Sequence, residues 1–208
     1  LACAYALNNK EAEAITQLKK CLLANVAIPF ENEADLSSIL NTKEYGELIA
    51  LKKNLNETVA NSEKFVVLSE RDLHPESLLY LKKSKTWLAN SIRNKKIVSF
   101  DEKSGKCTDW FLDPSLYAVF TMKADKEEKF LWITTTAIPE MRGYNLNLEG
   151  KTEILKIEIK TKKVIKRFSI QGNHVFGDFI INDRDEVFLS DSGEAVIYTI
   201  KNDGLAIW

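Results

Sequence analysis

A mainly β fold with a small α N-terminal domain is predicted, the β part being an incomplete propeller of about three four-stranded blades. Three observations predict it. After residue 75 one pattern returns three times: an apolar strand ending in small polar residues, a second strand, then a tight turn. Each copy has room for four strands, the number in a propeller blade. Before residue 62 the apolar spacing is helical instead, so the chain divides into 1–62 and 63–208.

In the first segment Ala14, Ile15, Leu18, Cys21 and Leu22 recur at spacings of three and four, which places them on one helix face. Asn8-Asn9 marks a turn before that helix. Ala2, Ala4 and Ala6 permit close approach, so an antiparallel helical hairpin is expected. Cys3 and Cys21 are expected as small core residues. A further helix is expected from Thr42, with Asn41 as its cap and Glu44 reaching back. "LACAYALNNKEAEAITQLKKCLLAN" and "NTKEYGELIALKKN" resemble the last unit and closing helix of a tetratricopeptide-type array, which implies a protein partner docking on the helical segment. The alternative is a helical appendage covering the propeller edge.

The three copies begin at Trp87-Leu88-Ala89-Asn90-Ser91, Trp132-Ile133-Thr134-Thr135-Thr136 and Phe188-Leu189-Ser190-Asp191-Ser192. Inner strands are expected near Leu78–Leu81, Tyr117–Met122 and Asp178–Ile181. Third strands end in Asp101, Glu158 and Ile200, and outer strands lie around Cys107–Phe111, Val164–Ile170 and Leu205–Trp208. The connecting turns are Glu102-Lys103-Ser104-Gly105, Lys160-Thr161-Lys162 and Asn202-Asp203-Gly204, where Gly tolerates positive φ. The aligned aromatics Trp87, Trp132 and Phe188 are expected to pack between blades. Three blades cannot close a ring, so either more blades follow Trp208 in a longer parent or two chains complete a six-bladed ring; the former is favoured here.

Composition removes several classes of function. The 208 residues carry 29 Lys and Arg against 30 Asp and Glu, with no basic stripe, so no nucleic-acid partner is expected. Apolar runs fall far short of a bilayer span, and no membrane span is expected. The three cysteines have no metal-ligand spacing, which argues against a disulfide framework or zinc site.

"DLHPESLLYLKKSKTWLANSIRNKKIVSFD", "FLWITTTAIP" and "HVFGDFIINDRDEVFLSDSGEAVIYTI" resemble the gluconolactonase/regucalcin-like six-bladed propellers, over the first half of that family's length. The resemblance implies a divalent cation, commonly calcium, held by acidic and amide side chains at the starts of inner strands, and in many members lactone or ester hydrolysis. It assigns the first acid to Glu76 and a second to Asp178, beside Gly177 where relatives carry Asn. In the second copy Tyr117-Ala118-Val119 offers no ligand.

Read from the residues themselves, Glu76 and Asp178 supply at most four of the six to eight oxygens calcium takes. His74 and His174 both precede an inner strand. Either is a candidate general base, activating water while a metal polarises a lactone carbonyl, or a histidine bonded to a nearby carbonyl. The middle copy carries an insertion, Ala137 to Lys151, expected to overhang the channel mouth. There Arg142 and Tyr144 are candidates to close over an anionic or sugar-like ligand, the alternative being a loop packed on the adjacent blade. The gaps in the ligand set favour a non-catalytic propeller binding a small molecule, carbohydrate or protein. A metal-dependent lactone or ester hydrolase working at the central channel is the alternative.

Overall fold

Among the described residues, alternating apolar residues in short runs between turns form twelve strands, preceded by three α-helices, in the computed structural model. The structure describes residues 1–201 and 204–208, so Asn202 and Asp203 of the expected last turn lie outside the described residues. The chain divides into two compact units, Leu1–Glu63 and Lys64–Trp208.

In the first unit, helices α1 (Ala2–Leu7) and α2 (Glu11–Ala24) join through Asn8 and Asn9, the latter at φ 56°. Their small and branched faces meet: Ala2 and Ala6 are buried in one cluster with Ala14, Leu18 and Leu22. Cys21 differs from expectation. It is exposed, because the buried stripe runs through positions 14, 18 and 22 and leaves position 21 on its flank. Helix α3 (Lys43–Leu55) is capped by Thr42, whose hydroxyl accepts from the Tyr45 amide at 3.2 Å, so the cap falls one residue later than Asn41. Tyr45 then meets Phe30 edge to face at 5.9 Å, fixing α3 on the preceding loop.

The second unit contains three four-stranded antiparallel sheets, each a simple meander. They are β1 (Leu78–Leu81), β2 (Thr86–Ser91), β3 (Lys96–Phe100) and β4 (Cys107–Leu112); β5 (Ala118–Ala124), β6 (Phe130–Thr136), β7 (Thr152–Glu158) and β8 (Lys163–Ser169); and β9 (Phe176–Ile181), β10 (Val187–Asp191), β11 (Val196–Lys201) and β12 (Gly204–Ile207). Each sheet is one blade. Inner strand β5 packs against both β2 and β9, so the sheets lie face over face in chain order.

Each joint between blades is an apolar layer. Leu88, Ile97 and Phe111 of the first blade are buried with Ile133, Leu155 and Ile157 of the second. Trp132, Ile154 and Phe168 of the second are buried with Phe179, Leu189 and Tyr198 of the third. At roughly 2 kcal/mol for each large side chain removed from water, these layers are what holds the meanders together, since an isolated meander has nothing to cover its apolar faces.

The register of the first blade corrects the alignment of aromatics. Trp132 lies in the joint toward the third blade, but its counterpart in the first blade is Leu88, not Trp87. Side chains alternate faces along a strand, so this single-residue offset turns Trp87 to the opposite side. There Trp87 stacks with Phe100 at 6.0 Å and meets Tyr80 at 4.9 Å, partly covered by Val66, Leu68 and Leu73. Gly105 anchors that covering segment: its carbonyl accepts from the Ser69 amide at 2.8 Å. A Cβ there would stand 1.9 Å from the Val67 carbonyl oxygen, and its φ is +69°.

Candidate functional site at the inner strands and the loop face

A β-bulge recurs at one level of the inner strands. Between Met122 and Val119 the β5–β6 register shifts, so that Phe120 and Thr121 together oppose Thr134. Between Phe179 and Phe176 the same happens in the third blade, and Gly177 and Asp178 oppose Ser190. In the first blade the amides of Glu76 and Ser77 both donate to Oδ1 of Asn90, at 2.9 and 2.7 Å. Bulges re-aim side chains and interrupt pairing, which is why they collect at functional edges.

Short polar side chains satisfy the backbone that these bulges free. The Asn90 amide nitrogen donates to the carbonyls of Val119 and, at 2.9 Å, Phe120, tying the first blade to the second. The Met122 amide donates to Ser77 Oγ at 3.3 Å. The Thr121 hydroxyl donates to the Gly177 carbonyl at 2.8 Å and its amide to Thr134 Oγ1 at 3.2 Å, repeating the tie between the second blade and the third. Sequence reading missed Asn90 and Phe120-Thr121. The available signal was an Asn inside the apolar run Trp87-Leu88-Ala89-Asn90, a polar group that must find partners where it is buried.

This geometry sets where the two acids stand. Glu76 and Asp178 are not counterparts: Glu76 shares its place with Phe120 and Gly177, whereas Asp178 shares its place with Ser77 and Thr121. Asp178 Oδ1 accepts from its neighbour's amide, Phe179, at 2.7 Å and faces Lys123 Nζ at 2.9 Å. Among the described residues no group of three or more His, Cys, Asp or Glu side chains gathers where an ion could be held. Glu76 and Asp178 on their own supply at most four of the six to eight oxygens that calcium takes.

The two histidines differ in burial and in partners. His74 is exposed at φ 48°, and its carbonyl accepts from the Ile92 amide at 3.2 Å. His174 is buried, with Nδ1 at 2.6 Å from Asp191 Oδ2 and Nε2 at 3.1 Å from the Gln171 carbonyl. The Gln171 carbonyl and the ionised Asp191 carboxylate are both acceptors, so the two contacts are satisfied together when both ring nitrogens donate, which favours the cationic imidazole. The hydrogen bond to Asp191 raises the His174 pKa from its usual value, against the opposing effect of burial. Burial alone would raise the Asp191 carboxyl; the Val175 amide, His174 and the Gly193 amide outweigh it and hold it low.

The Ala137–Lys151 loop sits on the first blade's β2–β3 turn. Ala137 and Met141 are buried with Ile92 and Ala118, and Tyr144 packs partly buried on the same cluster. The Arg142 amide donates to the Arg93 carbonyl at 2.9 Å, and its guanidinium meets Asp72 at 2.7 Å. Beside them lies an open cleft lined by Asp72, Asn94, Lys95, Asp109, Arg142 and Gly143. Lys96 stands at its edge between Asp109 at 2.5 Å and Glu70 at 2.8 Å. Burial would lower the Lys96 pKa, but the two carboxylates raise it. The side-chain oxygen of Asn94 is buried without a partner among the described residues. Arg142 and His74 thus meet the same turn, Arg142 through Arg93 and His74 through Ile92; Glu76 lies two residues beyond His74. His174 and Asp178 belong to the third blade's entry.

Three four-stranded meanders, stacked face over face and tied at their inner strands, define a β-propeller-type protein. No protein-family model matches the sequence, and no curated protein matches it. Among solved structures the chain is similar to virginiamycin B lyase from Staphylococcus aureus at 12% identity and TM-score 0.48, over 68% of this chain and 43% of that one. It is similar to the PQQ-bound aldose sugar dehydrogenase from Streptomyces coelicolor at 13% and 0.48, over 67% and 47%. It is also similar to the periplasmic gluconolactonase of Pseudomonas aeruginosa at 11% and 0.46, over 64% and 37%. The chain spans less than half the length of each, and likeness at this level carries neither activity nor ligand across. No helix among the described residues is long and apolar enough to cross a membrane.

Proposed function

We propose that this chain is a non-catalytic, ligand-binding β-propeller segment, gluconolactonase/regucalcin-like in plan, that takes a small polyhydroxylated or sugar-acid ligand on its loop face. The observation that carries this reading is the cleft beside Arg142, where three cations, Arg142, Lys95 and Lys96, stand among the carboxylates of Glu70, Asp72 and Asp109. Alternating donors and acceptors on a firm loop suit hydroxyl groups and one carboxylate. Hydrolysis has less support. The histidine with the strongest charge partner has both nitrogens engaged, and Glu76 and Asp178 occupy different places at the bulges of their blades.

Calorimetric titration with neutral sugars, aldonic acids and their lactones tests the reading, with lactone hydrolysis followed in the same samples. Saturable binding of one class without turnover, weakened about tenfold in Arg142→Ala, is expected; that factor corresponds to about 1.4 kcal/mol. Calcium-dependent lactone turnover abolished by Glu76→Gln would replace this reading with the hydrolase alternative.

A further inference from the structure

We infer that a second cleft on the loop face, built by the second blade, takes a polyhydroxylated amine, a ligand of the amino-sugar class. It shares no lining residue with the cleft beside Arg142 and does not depend on the reading given to that cleft. Tyr117, Glu149, Lys151, Glu153, Ser169 and Gln171 line it. Its volume of about 400 Å³ falls within the roughly 300–1,000 Å³ of small-ligand sites. The back wall is backbone laid against backbone: a Cβ on Gly150 would stand 2.8 Å from the Gly172 carbonyl oxygen.

Strand register gives this cleft its charge. Glu153 pairs with Thr135 as Lys96 pairs with Ser91, and Arg167 pairs with Leu155 as Asp109 pairs with Val98, so the second blade repeats the first blade's ion pair with both signs reversed. In the first blade Lys96 stands between Glu70 and Asp109. In the second, Arg167 Nη1 donates to Glu153 at 2.8 Å, and Nη2 donates to Asp113 at 2.5 Å and to Ser115 Oγ at 2.8 Å. A single guanidinium between two carboxylates leaves one negative charge over, while Lys151 and Glu149 cancel at the rim. A cation completes that balance, and a carboxylate is repelled.

Oxygens beside that charge are unspent. Thr135, Glu153 and Ser169 stand opposite one another across β6, β7 and β8, and so share one face. Thr135 is fully buried, and neither its hydroxyl, nor Glu153 Oε1, nor the Ser169 hydroxyl has a partner among the described residues. Both counterparts of Thr135 are engaged: Ser91 Oγ donates to the Leu73 carbonyl, and Asp191 holds His174. A buried polar group left open where its two siblings are satisfied calls for a partner from outside the fold. The Tyr117 hydroxyl is likewise unpartnered among the described residues, and burial, then the Glu153 charge, raises its pKa, so it stays a donor. Glu153 can only accept, which suits an ammonium; Tyr117, Ser169 and Gln171 both give and accept, which suits hydroxyl groups.

Calorimetric titration of the 208-residue chain with glucosamine at about pH 6, where the amine is charged, is the test, with glucose, N-acetylglucosamine and gluconate as comparators. Saturable glucosamine binding, about tenfold or more tighter than that of glucose or N-acetylglucosamine, is expected, because only the free amine carries the charge. Glu153→Gln should erase that preference, and Tyr117→Phe should weaken glucosamine several-fold, each with the wild-type circular dichroism spectrum. Saturating gluconate should leave the glucosamine isotherm in place. If Glu153→Gln does not fold, the comparison of glucosamine with its N-acetyl form on the wild-type chain decides by itself. Absence of glucosamine binding, equal affinity for the N-acetyl form, a folded Glu153→Gln that keeps the preference, or displacement by gluconate would overturn the inference.

Discussion

His174 Nδ1 stands 2.6 Å from Asp191 Oδ2, joining the segment that enters the third blade to the end of β10, and both side chains are buried. The equivalent place in the first blade is held by neutral groups, with Ser91 Oγ donating to the Leu73 carbonyl at 2.5 Å. One blade thus fastens its entry with a charge pair where another uses a hydroxyl. Only the charge pair titrates.

That difference sets a pH dependence. His174, raised above its ordinary 6.5, contributes stability that is complete below that value and is lost as pH rises through its folded pKa. Asp191, lowered below its ordinary 3.8, contributes stability present above that value and lost as pH falls through its folded pKa. The pair's contribution is therefore greatest between 3.8 and 6.5. His174→Gln should cost about 3 kcal/mol near pH 6 by leaving Asp191 buried without its cation. Urea midpoints measured across pH for both proteins check this; parallel profiles would count against it.

Asn90 is the blade-to-blade clamp. Its removal leaves two amides and two carbonyls short of a partner in a fully buried place. Asn90→Ala is expected to destabilise by about 3 kcal/mol. Asn90→Asp should be worse, since a carboxylate would face the Val119 and Phe120 carbonyls. Chemical denaturation of the two variants gives the order directly.

Trp132 and Trp87 look alike in sequence and sit in different surroundings. Trp132 is 6% exposed inside a joint, and Trp132→Ala should cost about 4 kcal/mol. Trp87 is half-buried under residues 66–73, so Trp87→Ala should cost roughly half as much. Equal losses in calorimetric unfolding would contradict the register described for the first blade.

Gly105→Ala should release the segment over the first blade rather than unfold the sheets. The added Cβ collides with backbone at Val67 and sits at positive φ, so residues 66–69 must move. Limited proteolysis is expected to cut that segment at least several-fold faster, with the sheet core's melting little changed.

Sequence alone located the blades because strand length, alternation and turn residues are local properties. The Phe130–Thr136 and Lys96–Phe100 strands follow from their own β-branched and aromatic residues, whatever lies over them. Which face each strand shows is not local. Trp87 and Trp132 each lead an apolar run, yet Trp87 lies three places before Asn90 and Trp132 two places before the counterpart Thr134, so alternation turns them to opposite sides. The candidate acids were legible as carboxylates near inner strands, but a one-place offset at the bulges separates Glu76 from the position of Asp178. The pairing of His174 with Asp191, far apart in the chain, came only from packing. Side-chain type fixed the elements, and the contacts between sheets decided which groups meet.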